Sequence, residues 1–195
     1  DWLSAPDNPW FARALANRVW YWLLGTGIVE PADALPWGDG GRPAHAGAGE
    51  PLLRALEDEL HSSGYDLRSF YRLILTSRTY QQSSALPPEV TPSDLAFTRY
   101  TIRRLEAEVL ADAFAWIGGV GPTYSSPIPE PFTFIPGTQR TIALADGSIS
   151  SPFLVRFGRP ARDTGLLSER NNQPSGEQAL YLLNSSEVRR MVDSS

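Results

Sequence analysis

The stretch EPLLRALEDELHSSGYDLRSFYRLILTSR, residues 50 to 78, decides the fold class because it contains two amphipathic helices in succession. Its leucines recur at helical spacing, and Pro51 stands where a first helical turn accepts proline. Asp66 suits the N-cap of the second helix. The short Gly64-Tyr65 link predicts an antiparallel helical hairpin. The apolar face of the first helix is Leu52, Leu53, Leu56 and Leu60.

A further helix is predicted before this hairpin, with Asn8 as its N-cap and Gly25 as its C-terminal stop. Trp20 falls opposite the main apolar arc of that helix and is expected to be exposed. Trp22 and Trp116 lie on apolar faces and are expected in the core. The apolar arc of this helix is Phe11, Leu15, Val19, Trp22 and Leu23.

Helices are also predicted in the second half of the chain. One covers about residues 104–117, and a short one covers residues 152–157. Ser175 and Gln178 have the spacing of a capping box, which predicts a helix directly behind them. A last short helix begins at Ser185 or Ser186.

Residues 120–151 form an irregular, proline-rich segment, since repeated prolines exclude a long helix there. Residues 141–145 have the composition of a short strand, which leaves room for one short hairpin. We therefore predict a mainly α fold, an irregular helical bundle of about five to seven helices. Residues 1–195 are expected to be a single domain and a fragment of a longer parent protein.

Composition restricts the possible functions. The 195 residues include no cysteine, so thiolate metal sites, disulfides and covalent haem attachment are excluded. The formal net charge of −5 argues against sequence-independent nucleic-acid binding. No apolar run is long enough to span a membrane. His45 and His61 have no metal-binding spacing, so we predict neither a cofactor nor a metal.

Several charged residues fall on apolar helix faces. Arg18 lies between Leu15 and Trp22 on the first helix, and Arg78 continues the apolar face of the third. Because burying a lone charge costs several kcal/mol, such residues should be paired. We predict a buried ionic network, with Arg18–Glu106 and Arg78–Asp112 as possible pairs. An anion site at a helix junction is the functional alternative.

A second polar cluster lies near the C-terminus and contains four arginines within fifteen residues, in a loop that also holds acidic and amide side chains. Arginine clusters bind phosphate, sulfate or acidic sugars, because the planar guanidinium donates in pairs. The alternative is a loop that its own arginine–carboxylate and arginine–carbonyl bonds hold in place. The anion-binding candidates are Arg156, Arg159, Arg162 and Arg170.

Several segments, taken in order, resemble the domain-of-unknown-function 1553 family of planctomycete-type exported proteins. The resemblance spans nearly the whole chain. It rests on residues 7–13, 17–20, 25–29, 73–81, 103–113, 157–160, 169–170 and 178–184. The family often has cysteines just before its Glu-Arg pair, where this chain has Gly165-Leu166-Leu167-Ser168 instead, so a thiol role does not carry over.

The resemblance implies the C-terminal domain of an extracytoplasmic, multidomain parent, whose other domains would be its partners. It carries no established reaction. Our first hypothesis is a non-catalytic structural or interaction module. One alternative is a domain that binds or processes polysaccharide, such as an acidic or sulfated glycan, through the arginine cluster. The other is an accessory domain of a cytochrome-containing surface protein.

Overall fold

The computed structural model describes residues 2–3, 5, 7–85, 97, 99–129, 134–144, 147–160 and 165–193. These residues form seven α-helices with short 3-10 turns, and no strand occurs among them. The prediction of a mainly α, irregular helical bundle is therefore confirmed. The chain divides into two compact units, Asp1–Ile102 and Arg103–Ser195. The prediction of a single domain over residues 1–195 stays a prediction.

The helices of the two units follow the chain in order. The first unit contains α1 (Phe11–Leu24), α2 (Glu50–Ser62) and α3 (Leu67–Leu75). The second unit contains α4 (Ala107–Gly118), α5 (Pro152–Arg156), α6 (Gly176–Asn184) and α7 (Ser186–Asp193). No helix in the described part of the chain is long and apolar enough to cross a membrane.

The helix ends follow their local capping signals. Asn8 Oδ1 accepts the N–H groups of Trp10 and Phe11 at 2.9 and 3.2 Å, which is the bonding pattern of a capping side chain, in the turn that precedes α1. Asp66 caps α3 in the same way. Ser175 and Gln178 form both bonds of the capping box at the start of α6. The predictions for Asp66 and Ser175 are confirmed, because caps depend on residues close in sequence, whereas the N-cap predicted at Asn8 lies two residues before the N-cap position of α1.

The buried face of α1 differs from the predicted one. Ala12, Ala16 and Val19 are buried, and Trp20 is only 3% exposed, whereas Trp22 is 44% exposed. The predictions for both tryptophans were therefore wrong. The leucines of α2 and the rings of α3 pack against the alanine side of α1. Small residues allow two helices to approach closely, so bulk alone did not identify the packing face.

The second unit shows the same effect on α4. Its buried positions include Ala107 and Ala111, which pack against the apolar side chains of α5 and α7. The large apolar side chains of Leu105, Val109 and Ile117 are exposed, and Trp116 is 90% exposed. The prediction of a buried Trp116 was therefore wrong. As a result, α4 presents an apolar surface to solvent.

The irregular segment of residues 120–151 is held by a few specific contacts where the structure describes it. Ser125 and Ser150 exchange backbone hydrogen bonds of 2.8 and 3.0 Å. The Tyr124 hydroxyl lies 2.7 Å from Thr141 Oγ1. Thr141–Ala143 forms a 3-10 turn, so the strand predicted there was wrong. Residue 145 lies outside the described residues.

Candidate functional site

The second unit contains a buried ion cluster centred on Glu108 in the first turn of α4. Arg170 donates to both carboxylate oxygens of Glu108, at 2.7 and 2.9 Å. Arg159 Nε lies 3.3 Å from Glu108 Oε1, and both side chains are almost fully buried. A bidentate arginine–carboxylate pair is among the stronger polar interactions in proteins. Glu108 therefore holds two distant segments of the chain against α4.

Glu106, just before α4, extends this cluster toward solvent. Arg170 Nη1 lies 3.3 Å from Glu106 Oε2, and Asn172 Nδ2 donates to Glu106 Oε1 at 2.8 Å. The Glu106 side chain is 41% exposed, so this is the rim of the cluster. Two arginines and two glutamates balance in charge here, which is the condition for burying such groups together.

Arg104 connects the same region to the loop after α5. Its guanidinium donates to the carbonyls of Phe157 at 2.6 Å and Asn171 at 3.4 Å, and to the side-chain oxygen of Gln178. It also stacks over the Phe157 ring, 5.3 Å from the centroid. Burial lowers the pKa of the Arg104 guanidinium. Gln178 Nε2 in turn donates to the carbonyl of Arg156 at 2.9 Å.

Gly158 allows these segments to meet. Its φ is +95°, and a Cβ at this position would overlap the backbone carbonyl of Asn171. The N–H of Asn171 donates to Gly158 O at 2.9 Å. Glycine is therefore required at position 158 for two reasons: its backbone conformation and its close approach to the segment that contains Asn171.

Asp112 on α4 binds backbone rather than a predicted arginine. Its carboxylate accepts the N–H groups of Thr141 at 2.6 Å and Ile142 at 3.2 Å. Arg140 Nε lies 3.6 Å away, and its side chain is mostly exposed. These bonds satisfy the backbone donors of residues 141 and 142, which explains the 3-10 turn there.

The first unit contains its own ion cluster around Arg13 on α1. Arg13 donates to Glu50 Oε2 at 2.6 Å and to Glu57 Oε1 at 2.7 Å. Glu50 also accepts from Arg54 Nε at 2.8 Å and from the N–H of Ala46 at 2.8 Å. The hydrogen bond from Arg13 lowers the pKa of Glu50 to about 2. Burial raises the pKa of Glu57.

Asn17, one turn further along α1, holds the loop that follows this helix. Its amide donates to the carbonyls of Val29 at 2.8 Å and Ala32 at 3.2 Å. Its Oδ1 accepts the N–H groups of Ile28 at 2.8 Å and Val29 at 3.0 Å. Asn17 is fully buried. A Cβ on Gly27 would lie 3.2 Å from Asn17 Oδ1 and would overlap the Val29 carbonyl, so the loop requires glycine at this position.

The structure places the predicted network residues differently. Arg78 is exposed, because α3 ends at Leu75 and the helical phase does not continue to Arg78. Arg18 is half-buried. Glu106 and Asp112 have the partners described above within the second unit. Because Arg18 and Arg78 belong to the first unit, the predicted pairs Arg18–Glu106 and Arg78–Asp112 stay predictions.

The predicted arginine cluster separates into different environments. Arg159 and Arg170 both bind Glu108. Arg156 pairs with the exposed Glu177 at 3.2 Å and stacks on the Tyr181 ring, 4.5 Å from its centroid. Arg162 lies outside the described residues. Anion binding by these four arginines stays a prediction, and the visible bonds favour the alternative of a loop held by its own ion pairs.

Sequence reasoning missed the residues that organise both clusters: Arg13, Asn17, Arg104 and Glu108. Each lies in a segment that carries the family resemblance, and that was the available signal. Arg13 and Asn17 also stand four residues apart on the alanine face of α1. The predicted buried face of α1 was chosen from its bulky side chains, and that choice selected Arg18 instead.

The second unit contains several surface grooves. A groove of about 1140 Å³ runs beside α5 and includes Arg156, Glu177 and four serines in its lining. A groove of about 800 Å³ lies between α4 and residues 137–142, with Trp116 and Ile117 on its wall. Among the described residues, no group of three or more histidine, aspartate or glutamate side chains is placed to hold a metal ion.

The arrangement is that of two polar cores, each holding loops onto helices. The buried carboxylates of Glu50 and Glu108 bind arginines, and the Asp112 carboxylate accepts hydrogen bonds from backbone N–H groups.

No curated protein and no solved structure matches this chain. One family model, described as PSD1, protein of unknown function (DUF1553), matches residues 1–195. A match over the whole length shows that the chain belongs to the PSD1 (DUF1553) family of proteins of unknown function.

Proposed function

We propose that this chain is a non-catalytic interaction module of an exported, multidomain bacterial protein, and that α4 binds another domain of the same parent chain. The observation that carries the proposal is the row of large apolar side chains exposed along α4. On α4, Trp116 is 90% exposed and Ile117 is 55% exposed, and Leu105, two residues before the helix, is 52% exposed. Soluble proteins rarely leave a contiguous apolar patch uncovered unless it serves an interaction.

The lining of the groove beside α4 fits a protein partner that has an apolar ridge. Val109, Trp116, Ile117 and Ile142 supply apolar walls. Gly119, Gly121 and Gly137 also line the groove and add no side chain that would fill it. An exposed tryptophan in such a setting is the residue type that most often dominates interface energies.

Charge at one end of the groove indicates a further feature of the partner. Asp112 is engaged by the N–H groups of Thr141 and Ile142, so it neutralises Arg140 only in part, at 3.6 Å. The Arg140 side chain remains 74% exposed. An acidic side chain beside the partner's apolar ridge would complement this guanidinium and fix the orientation of docking.

The buried charges support a structural role for the polar residues. Glu50 accepts hydrogen bonds from Arg13 and Arg54. Glu108 accepts two from Arg170 and forms an ion pair with Arg159, so both carboxylates are engaged within the fold. A general acid or base needs a proton site that faces substrate. These carboxylates face arginines, which is the arrangement of a scaffold.

The test uses the parent protein with a protease site inserted ahead of residue 1. After cleavage at about 10 μM protein, the two parts should elute together if the dissociation constant is near 1 μM or lower. Trp116→Ser should separate them, whereas Trp2→Ser, a change at a tryptophan that is 76% exposed in the first unit, should not. Separation of the cleaved wild type would overturn the proposal, as would co-elution of the Trp116→Ser variant.

A further inference from the structure

The groove beside α5 has the features of a small-ligand site, and it shares no lining residue with the α4 groove. Its volume of about 1140 Å³ slightly exceeds the usual range for ligand pockets, which ends at about 1,000 Å³. Pro127, Ile128, Pro152 and Val155 give it apolar walls. Its polar lining consists of Ser125, Ser148, Ser150, Ser151, Arg156 and Glu177.

The Ser150 hydroxyl is a polar group in this groove that the fold does not use. The residue is only 8% exposed, and its hydroxyl has no hydrogen-bond partner among the described residues. A buried hydroxyl without a hydrogen-bond partner is energetically unfavourable. A rotation about the Cα–Cβ bond of Ser150 would turn the hydroxyl toward the groove, and a hydrogen bond to a ligand there would recover that cost. This side chain therefore indicates a ligand able to donate or accept.

The Arg156–Glu177 pair indicates what kind of ligand this is. Stacking on Tyr181 holds the Arg156 guanidinium, and Glu177 lies 3.2 Å from its Nε. Donors and acceptors therefore stand side by side. Neighbouring hydroxyl groups match that pattern, because each can both donate and accept. The pair has no net charge, so an anionic ligand gains little over a neutral one.

We propose that the groove beside α5 binds a neutral oligosaccharide, with vicinal hydroxyls on Arg156 and Glu177 and a further hydroxyl on Ser150. The apolar walls would receive the C–H faces of the sugar rings. An extended peptide fits less well, because the backbone groups of Ser125 and Ser150 already pair with each other and offer no free edge. The proposal is independent of docking at α4.

The experiment titrates the full chain with neutral hexasaccharides of glucose, xylose, mannose and galactose by calorimetry, beside oligogalacturonate and a sulfated galactan. At least one neutral hexasaccharide should bind with a dissociation constant of about 1 mM or lower. Binding should change little when salt rises from about 0.01 to 0.1 M, since no net charge is neutralised.

Arg156→Gln and Ser150→Ala should each weaken that binding about tenfold or more. Val155→Trp, which fills the groove from a half-exposed position, should abolish it. Arg189→Gln changes an exposed arginine on α7 and is the matched control, which should bind as the wild type does. Equal thermal midpoints would show that the variants remain folded.

Two results would overturn the proposal. The first is that none of the neutral hexasaccharides binds. The second is that only the acidic ligands bind, with a steep salt dependence that Arg156→Gln removes, which would identify an anion site. Loss of α4 docking in the cleavage experiment leaves this result unchanged, so failure of one proposal is distinguishable from failure of the other.

Discussion

Arg159 Nε lies 3.3 Å from Glu108 Oε1, and less than a tenth of either side chain is exposed. Arg159 also donates from Nη1 to the carbonyl of Ile149 at 2.9 Å. The pair thus joins the start of α4 to the segments on both sides of α5. Because Arg170 binds the same carboxylate, Glu108 links α4 to two arginines on separate segments of the chain.

Glu108→Gln should strongly destabilise the second unit. The amide cannot balance the charges of Arg159 and Arg170, and Arg159 remains buried. Breaking a buried ion pair by removing one partner costs about 3–5 kcal/mol. Urea unfolding followed by circular dichroism would measure this loss.

The matched control is Glu177→Gln, which also removes a carboxylate paired with an arginine. Glu177 is 76% exposed, so its pair with Arg156 should contribute about 1 kcal/mol or less. Equal losses from the two variants would show that burial does not determine the role of Glu108.

The helix positions were predictable because their signals are local. Asn8, Asp66 and Ser175 each accept N–H groups within three residues along the chain. The helix faces were less predictable. On α1 and α4 the packing surfaces are built from alanines, and the bulky residues that dominate a helical wheel include exposed ones, such as Trp22 and Trp116.

The type of interaction at the candidate site was predictable from the sequence, but the residues that pair there were not. Arginines paired with buried carboxylates were expected, and such pairs form in both units. The partners depend on tertiary contacts between segments far apart in sequence, such as Arg13 with Glu50 and Arg170 with Glu108. No local spacing encodes those pairs, so the sequence could identify charged residues without assigning them.

Asn17→Ala should destabilise the first unit and release the loop at residues 27–32. The asparagine side chain satisfies backbone donors and acceptors of Ile28, Val29 and Ala32. Loss of these bonds leaves buried backbone groups unsatisfied, at about 1–3 kcal/mol each where water cannot enter. Urea unfolding should show a loss of about 3 kcal/mol.

Asn17→Asp tests the role of the Asn17 amide as a hydrogen-bond donor. It retains the acceptor for Ile28 and Val29 but directs a carboxylate oxygen at the carbonyls of Val29 and Ala32. We therefore expect it to be destabilising near pH 7 despite its similar shape. Wild-type stability in the aspartate variant would contradict the assignment of the amide as a donor.

The stability of the first unit should fall in acid because of Glu50. Its pKa is lowered from 4.5 to about 2 in the folded state. A depressed carboxyl pKa contributes stability that is present above about pH 4.5 and is lost as pH falls through about 2. Urea midpoints measured between about pH 7 and pH 2 should therefore decline most below pH 4.5.

Glu50→Gln should flatten this decline, at the cost of lower stability near neutral pH. The contribution of Glu57 to the pH dependence of stability has the opposite sign. Its pKa is raised in the folded state, so protonation of Glu57 favours folding. Glu57→Gln should therefore leave the acid decline in place. An acid decline that persists unchanged in Glu50→Gln would assign it to other carboxylates.

Gly158→Ala should be the most damaging alanine substitution at a glycine of the second unit. The added Cβ would overlap the Asn171 carbonyl and would be strained at φ +95°. Relieving that overlap would separate Gly158 from Asn171 and disturb the Arg104 bonds to Phe157 and Asn171. Loss of these interactions predicts a cost of about 3 kcal/mol or more in urea unfolding.

Gly119→Ala separates the two causes of this effect. Gly119 ends α4 with a φ of +66°, and an added Cβ would meet no heavy atom within 4 Å. It should therefore cost only the left-handed backbone strain, about 1–2 kcal/mol. If both variants lost the same stability, backbone strain alone would account for Gly158, and the close approach to Asn171 would have no energetic role.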